Sequence, residues 1–161
     1  MEGHDLSGKR YSGLGNHAGS KVAIAISKWN KEITEALFDG AFSVLVTAGV
    51  KKENIFRFDV PGAFELPQAA NSSLALKPDA VICLGCVIQG ETRHFDFICN
   101  AVSYGAMEVG LRSGRPVIFG VLTTDNFQQA NERAGGKLGN KGEEAAIAAL
   151  EMIDLNRSIK A

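Results

Sequence analysis

Four runs of strand length, each followed by a segment whose apolar residues recur at helical spacing, constrain the fold of this chain more than any other feature. Apolar runs of this kind are typical of parallel strands that are buried on both faces, because a crossover helix covers the sheet between one strand and the next. The pattern therefore predicts an α/β fold, a three-layer sandwich with a four-stranded parallel sheet in the middle. The predicted strands span residues 22–27, 54–60, 80–87 and 116–122.

The segments between and after these strands predict five helices. Asp125 with Gln128 resembles a capping box at the start of the fourth helix, and the pair Gly135 and Gly136 ends that helix. Asn140 is a suitable N-cap for the last helix. The predicted helical patterns span residues 33–48, 64–76, 98–109, 125–134 and 140–153.

The sequence predicts one domain, residues 21–161, preceded by an arm of residues 1–20. The chain has 161 residues, of which 45% are hydrophobic, and this is enough to bury one core. The arm is rich in Gly, Ser and His without periodicity, so we expect it to be flexible or docked on a partner. It carries no apolar block of the kind that a secretory signal needs, and we expect a cytoplasmic protein.

The charge balance disfavours two classes of partner. The chain has 17 Lys and Arg against 18 Asp and Glu, a formal net charge of -1. Without an overall excess of positive charge, neither nucleic acid nor an anionic membrane is an expected partner. The glycine-rich segments 13–15 and 135–142 lack the order and position of a phosphate loop, so an enzyme that uses nucleoside triphosphates is not predicted.

Three cysteines include a CxxC spacing, Cys83 to Cys86, that could indicate a redox or zinc site. The pair lies inside a predicted strand, where residues three apart point to opposite faces and cannot readily share a metal or a disulfide. We therefore interpret Cys83 and Cys86 as small core residues and predict no metal site.

In the stretch Gly85 to Asp96, a predicted strand is followed by a histidine at the start of a predicted helix. The carboxyl edge of a parallel sheet is where open α/β folds hold ligands, and helix N-termini offer unpaired N–H groups to anions. A histidine such as His94 can move protons between carbonyl, amine and water. Asp96 either tunes His94 or favours the helix N-terminus through its charge. The first candidate is thus an anion site with an acid/base beside it.

Several further residues have both a binding and a structural interpretation. Gly90, Glu91 and Thr92 can present N–H groups and a hydroxyl to a phosphate. Arg133 can grip phosphate oxygens through two parallel hydrogen bonds, or it is a solvated surface residue, and for Lys141 and Glu144 the surface interpretation also stands.

Aromatic residues at the strand ends have the same ambiguity. Trp29 and Phe64 follow the first two strands and can stack on a planar heterocycle or belong to the core, as can Phe119 in the fourth strand. Glu65 can accept hydrogen bonds from N–H groups of a ligand, or it is the carboxylate of a helix start.

Five ordered motifs resemble the lumazine synthase family over nearly the whole chain after the arm. They are SKWN at 27–30, VPGAFELP at 60–67, GCVIQGETRHFDF at 85–97, FGVLTTDNFQQANERAG at 119–135 and GNKG at 139–142.

The resemblance implies a transferase of riboflavin biosynthesis. It condenses 5-amino-6-(D-ribitylamino)uracil with 3,4-dihydroxy-2-butanone 4-phosphate to 6,7-dimethyl-8-ribityllumazine, phosphate and water, the penultimate step of that pathway. No redox cofactor and no metal are expected from the resemblance.

The resemblance also implies roles for individual residues. His94 is the proton carrier, and Trp29 stacks on the pyrimidine. Glu91 stands where smaller residues are common in the family, so its carboxylate must turn away from the phosphate or pair with Arg93. The pyrimidine and ribityl site is implied to comprise Trp29, Asn30, Ala63, Phe64, Glu65, Cys86, Val87, Ile88 and Phe119, the phosphate site Gly90, Glu91, Thr92 and Arg133, and the vicinity Lys141 and Glu144.

Assembly is a further implication, because lumazine synthases form pentamers with sites between neighbouring subunits. Arg133 is then expected to serve the site of a neighbour. Some members assemble twelve pentamers into an icosahedral 60-mer, and we expect that shell here because the turn 135–142 is short. The arm has no proline to stop it adding as an edge strand to a neighbouring subunit.

Two rival functions remain at this stage. A flavodoxin-like module that binds flavin would use the same strand and helix alternation, would purify yellow and would need neither His94 nor Arg133. A catalytically silent shell protein would not need these two residues either, nor the candidate phosphate-binding residues 90–92.

Overall fold

The computed structural model describes residues 15–161 and shows the predicted α/β sandwich. Its sheet has four parallel strands in the order β2-β1-β3-β4. The strands are β1 (Val22–Ser27), β2 (Ile55–Val60), β3 (Ala80–Ile88) and β4 (Val117–Thr124). The predicted four-stranded parallel sheet is confirmed.

Helices connect and cover these strands. They are α1 (Lys31–Thr47), α2 (Leu66–Ser73), α3 (His94–Ser113), α4 (Phe127–Glu132) and α5 (Lys141–Lys160). The segment predicted as one helix over 64–76 is α2 flanked by two 3₁₀ turns, Ala63–Glu65 and Leu74–Leu76. A small antiparallel pair, β5 (Ala134–Gly136) and β6 (Gly139–Asn140), lies between α4 and α5.

Each face of the sheet carries its own core because successive side chains of a strand point to opposite faces. Ile24 and Ile26 of β1 lie in the core formed with α1 and α5, whereas Ala23 and Ala25 lie in the core formed with α2 and α3. Both cores are closed by buried apolar side chains, so the carboxyl ends of the strands are held at one edge of a rigid sheet.

The cysteine pair follows the same alternation. Cys83 belongs to the α2 and α3 core, and Cys86 to the α1 and α5 core. Burial raises the pKa of the Cys83 thiol to about 12 and that of Cys86 to about 11. Within residues 15–161 no group of three metal-ligating side chains comes together. The interpretation of these cysteines as core residues is confirmed.

The predicted cap of α4 is wrong by one residue. β4 extends to Thr124, so the turn begins later than expected, and Asn126 is the N-cap, its Oδ1 accepting from the Gln129 N–H at 2.9 Å. The helix ends at Glu132, before the glycine pair, and Arg133 follows it as the C-cap. By contrast, Asn140 is the N-cap of α5 as predicted.

The last six residues of the predicted arm dock on α5 of their own chain. The Gly15 N–H donates to Asp154 at 2.9 Å, and Arg157 donates to the Ser20 hydroxyl at 2.8 Å. His17 is fully buried beside them. Residues 1–14 of the arm lie outside the described residues.

No helix among residues 15–161 is both long enough and apolar enough to span a lipid bilayer.

Candidate active site

A cavity of about 910 Å³ opens at the carboxyl ends of β1, β2 and β3. This is the edge where open parallel sheets hold ligands. The cavity brings together nine of the residues singled out from the sequence: Trp29, Asn30, Ala63, Phe64, Glu65, Cys86, Val87, Ile88 and His94.

The end of β1 supplies an aromatic wall and a polar anchor. The indole of Trp29 is 72% exposed at the cavity. Asn30 adopts the left-handed conformation (φ 56°, ψ 51°), which asparagine tolerates better than most residues. Its Nδ2 donates to the Cys86 carbonyl at 3.0 Å and joins the ends of β1 and β3. The Oδ1 atom of Asn30 is therefore the group that can accept from a ligand.

The turn after β2 presents Glu65 to the same space. The Gly62 N–H donates to the Glu65 carboxylate at 3.0 Å, so one oxygen of Glu65 holds the turn. The other oxygen has no partner among residues 15–161 and can accept from N–H groups of a ligand. Both interpretations of Glu65, helix start and ligand acceptor, thus fit one side chain.

His94 is the first residue of α3, and its ring is exposed at the cavity. Its backbone N–H donates to the Thr92 hydroxyl at 3.4 Å. Asp96 lies in the first turn of α3, where its charge favours the helix N-terminus, and no ion pair joins it to His94 in the described part of the chain. The His94 imidazole is thus free to exchange protons with a ligand.

The loop between β3 and α3 is tied down at its start. The Gln89 N–H donates to the Thr124 carbonyl of β4 at 2.8 Å. Gly90, Glu91 and Thr92 follow as exposed residues just before the first turn of α3. In that turn the Asp96 N–H donates to the Arg93 carbonyl at 3.1 Å. Glu91 makes no ion pair with Arg93 in the described chain, and it is turned to solvent.

A second cavity, about 480 Å³, lies at the carboxyl end of β4. Arg133 lines it, is exposed and has no acidic partner among residues 15–161. Lys141 lines it too, with its ammonium 2.8 Å from Glu144, which is mostly buried. Glu132 at its rim pairs with Lys137 at 3.0 Å. The second cavity thus holds an unpaired guanidinium with its fork free for an anion.

The two cavities of one chain do not form one site. Phe119 lies in the middle of β4, half-buried against the α2 and α3 core, and lines neither cavity. Arg133 and Lys141 line the second cavity and not the first, since β4 is an edge strand and both residues follow its end. Within one subunit His94 and Arg133 therefore line different cavities.

Four lining residues of the main cavity were missed by sequence reasoning: Pro61, Gly62, Phe97 and Ile98. The first two belong to the motif VPGAFELP, of which only 63–65 were chosen. Phe97 and Ile98 lie three and four residues after His94 and so share its face of α3. The helical spacing was a signal that could have found them.

Comparisons with known proteins agree over nearly the whole chain. Residues 19–157 match the family model described as 6,7-dimethyl-8-ribityllumazine synthase. The chain is 59% identical over 156 residues to the "6,7-dimethyl-8-ribityllumazine synthase" of Cytophaga hutchinsonii, covering 95% of this chain and 98% of that protein. It is 46% identical over 162 residues to the protein of that name in Christiangramia forsetii, covering 99% and 96%.

Proposed function

Since this chain belongs to the 6,7-dimethyl-8-ribityllumazine synthase family, we infer that it is the transferase of that name in riboflavin biosynthesis. It condenses 5-amino-6-(D-ribitylamino)uracil with 3,4-dihydroxy-2-butanone 4-phosphate and releases 6,7-dimethyl-8-ribityllumazine, phosphate and water. The observation that carries this function is the single cavity in which Trp29, Glu65 and His94 meet.

The main cavity fits the pyrimidine substrate. The exposed indole of Trp29 offers a flat face on which a pyrimidine can stack. The free oxygens of Asn30 and Glu65 accept hydrogen bonds, and a ribitylaminouracil carries the N–H groups that would donate them. The remaining walls, such as Val87 and Ile88, are apolar.

The phosphate of the second substrate is proposed to lie at the start of α3. Gly90 and Thr92 precede the N-terminus of this helix, where the helix dipole favours an anion. We propose that Arg133 completes the clamp from a neighbouring subunit, together with Phe119 and the Lys141 and Glu144 pair. This is supported by the unpaired guanidinium of Arg133 in a cavity separate from that of His94.

The chemistry needs proton transfers and close positioning. The 5-amino group attacks the ketone, loss of water gives a Schiff base, phosphate is eliminated, and ring closure with a second loss of water yields the lumazine. His94 is proposed to carry protons between these groups. Holding two substrates in register supplies much of the acceleration, so one histidine and one anion clamp suffice.

Replacing His94 with alanine should lower kcat by about 100-fold while leaving both KM values nearly unchanged, because a general acid/base contributes about this much. The measurement is the steady-state formation of the fluorescent lumazine. The control is His17→Gln, which changes a histidine that pairs with Asp154 of α5 and lines neither cavity. If His94→Ala kept the kcat of the parent, His94 would not be the proton carrier.

The rival functions are decided by the same assay. A well-folded parent protein that makes no lumazine from the two substrates would be a binding or shell protein. A flavodoxin-like flavin carrier would also purify with bound flavin, visible as yellow colour. Lumazine formation by the parent excludes the silent shell protein.

An apolar face on α3, exposed among residues 15–161, supports assembly of several copies. Phe97, Tyr104, Met107 and Leu111 lie along one side of this helix with exposed fractions of 72, 72, 65 and 79%. Apolar surface of this extent on one helix is typical of an interface. We propose that it packs against a second copy in a pentamer, and that twelve pentamers form an icosahedral shell in the cytoplasm.

Light scattering should give a particle far heavier than five chains of 17.1 kDa. Leu111→Lys should shift the protein to smaller species, because burying an unpaired ammonium in an apolar interface is costly. Arg112→Ala, on the neighbouring exposed position, is the matched control. A pentamer peak for the parent would refute the shell, and a monomer peak would refute both levels of assembly.

A further inference from the structure

Gly62 lies between the two side chains that define the ligand-binding wall of the main cavity. A β-carbon added to Gly62 would lie 3.2 Å from the Glu65 carboxylate oxygen Oε2. The same β-carbon would lie 3.5 Å from Cδ1 and 3.9 Å from Nε1 of Trp29. The space that a side chain at residue 62 would occupy is therefore bordered by the carboxylate and by one edge of the indole.

The backbone does not explain why this position holds glycine. Gly62 has φ -143° and ψ 179°, an extended conformation that any residue adopts. Its N–H donates to Glu65, and every residue except proline can make this bond. Only the space beside Trp29 and Glu65 distinguishes glycine from alanine or valine at this position.

Trp29 lies outside the packed cores of the subunit. The indole is 72% exposed, so most of its surface faces solvent in the single subunit. The edge that carries Cδ1 and Nε1 rests near Gly62. Side-chain volume at residue 62 thus acts on the ring position more directly than it acts on the core.

We infer that Gly62 is a positioning residue of the pyrimidine site, since its missing side chain lets Trp29 and Glu65 stand against the same stretch of backbone. The inference rests on the proposed function for its substrate. Volume at residue 62 sets the position of the indole relative to the Glu65 carboxylate, and hence the fit of the planar ring that is placed between them.

Alanine and valine at residue 62 give a series of increasing side-chain volume. The alanine methyl group meets the end of a flexible carboxylate, which can move by a few tenths of an ångström, and touches Trp29 at ordinary van der Waals distance. The γ-methyl groups of valine extend beyond this point and compete with the indole for the same space. Gly62→Ala is therefore the mild variant and Gly62→Val the severe one.

The kinetic test separates the two substrates. We expect Gly62→Val to raise the KM for the pyrimidine by about tenfold, in the range of one methylene group in a binding pocket, with a smaller rise for Gly62→Ala. The KM for the butanone phosphate should stay close to that of the parent. Equal increases of both KM values would overturn the positioning role.

The spectroscopic test does not depend on activity. Trp29 is the only tryptophan of the chain, so the fluorescence of the protein reports on this ring alone. Without substrate, Gly62→Val should shift the emission to longer wavelength and increase quenching by acrylamide, since the displaced indole gains solvent. Parental emission and quenching in both variants would overturn the inference.

Controls keep the result interpretable. Gly19→Ala adds a methyl group with no atom within 4 Å and should leave kinetics and emission unchanged. Circular dichroism and particle mass verify that each variant is folded. If Gly62→Val does not fold, the emission and the pyrimidine KM of Gly62→Ala decide whether Gly62 positions Trp29. If the parent makes no lumazine, the proposed function fails, while the fluorescence still decides whether Gly62 positions Trp29.

Discussion

Replacing Arg133 with alanine should lower kcat/KM for the butanone phosphate by about 100-fold, because truncating one partner of a desolvated, hydrogen-bonded charge pair is costly. The loss should appear chiefly as a raised KM for this substrate. The KM for the pyrimidine should stay close to the parental value. Arg133 has no acidic partner within residues 15–161, so its loss leaves no unpaired carboxylate behind.

The measurement varies one substrate at a time in the lumazine assay. Lys137→Ala is the matched control, because Lys137 is a neighbouring cation already paired with Glu132. Added inorganic phosphate should inhibit the parent and have less effect on Arg133→Ala. If Arg133→Ala kept the KM of the parent for the butanone phosphate, Arg133 would not bind the phosphate.

Mixing two defective variants tests whether neighbouring subunits share the site. In assemblies of His94→Ala and Arg133→Ala chains, some sites combine an intact His94 with an intact Arg133 of the adjacent chain. Such mixtures should be far more active than either variant alone. If both residues served the site of their own chain, reassembly would give no gain, and the shared site would be excluded.

Replacing Gly142 with alanine should destabilise the fold by about 3 kcal/mol or prevent folding, at the upper end of the cost of overpacking. An added β-carbon would overlap the backbone carbonyl of Leu37 in α1. This carbonyl is part of the rigid α1 backbone and cannot swing aside as a side chain would. α5 must therefore move away from α1, and the buried Asn140 cap, which donates to Ala36 at 2.9 Å, must break or stretch.

Urea denaturation of the parent and the variant gives the difference in the free energy of unfolding. Gly110→Ala is a matched glycine in α3, where an added β-carbon meets its nearest atom at 3.4 Å. That control should be neutral or slightly stabilising, because alanine favours helices over glycine. If Gly142→Ala had the same free energy of unfolding as the parent, the contact between α1 and α5 would be looser than the structure shows.

The strands were predictable from sequence because their burial leaves a local signal. Val22–Ser27 is found with the predicted ends, since a run buried on both faces is apolar at every position. Asn140 was predictable as a cap because its side chain bonds to N–H groups only two and three residues away. The cap of α4 was misplaced because the end of β4 depends on its pairing with β3, and Thr124 pairs with Ile88.

In the candidate site, too, some residues could be predicted from the sequence and others only from the fold. His94, Trp29 and Glu65 could be chosen from the chain because each follows a strand end, and parallel strands bring those ends to one edge. The position of Gly62 beside Trp29 and Glu65, and the placement of His94 and Arg133 in different cavities, have no local signature in the sequence. They follow from strand order and from packing between segments far apart in the chain. A residue pattern records which groups are buried or capped nearby, whereas the packed fold sets which distant groups meet.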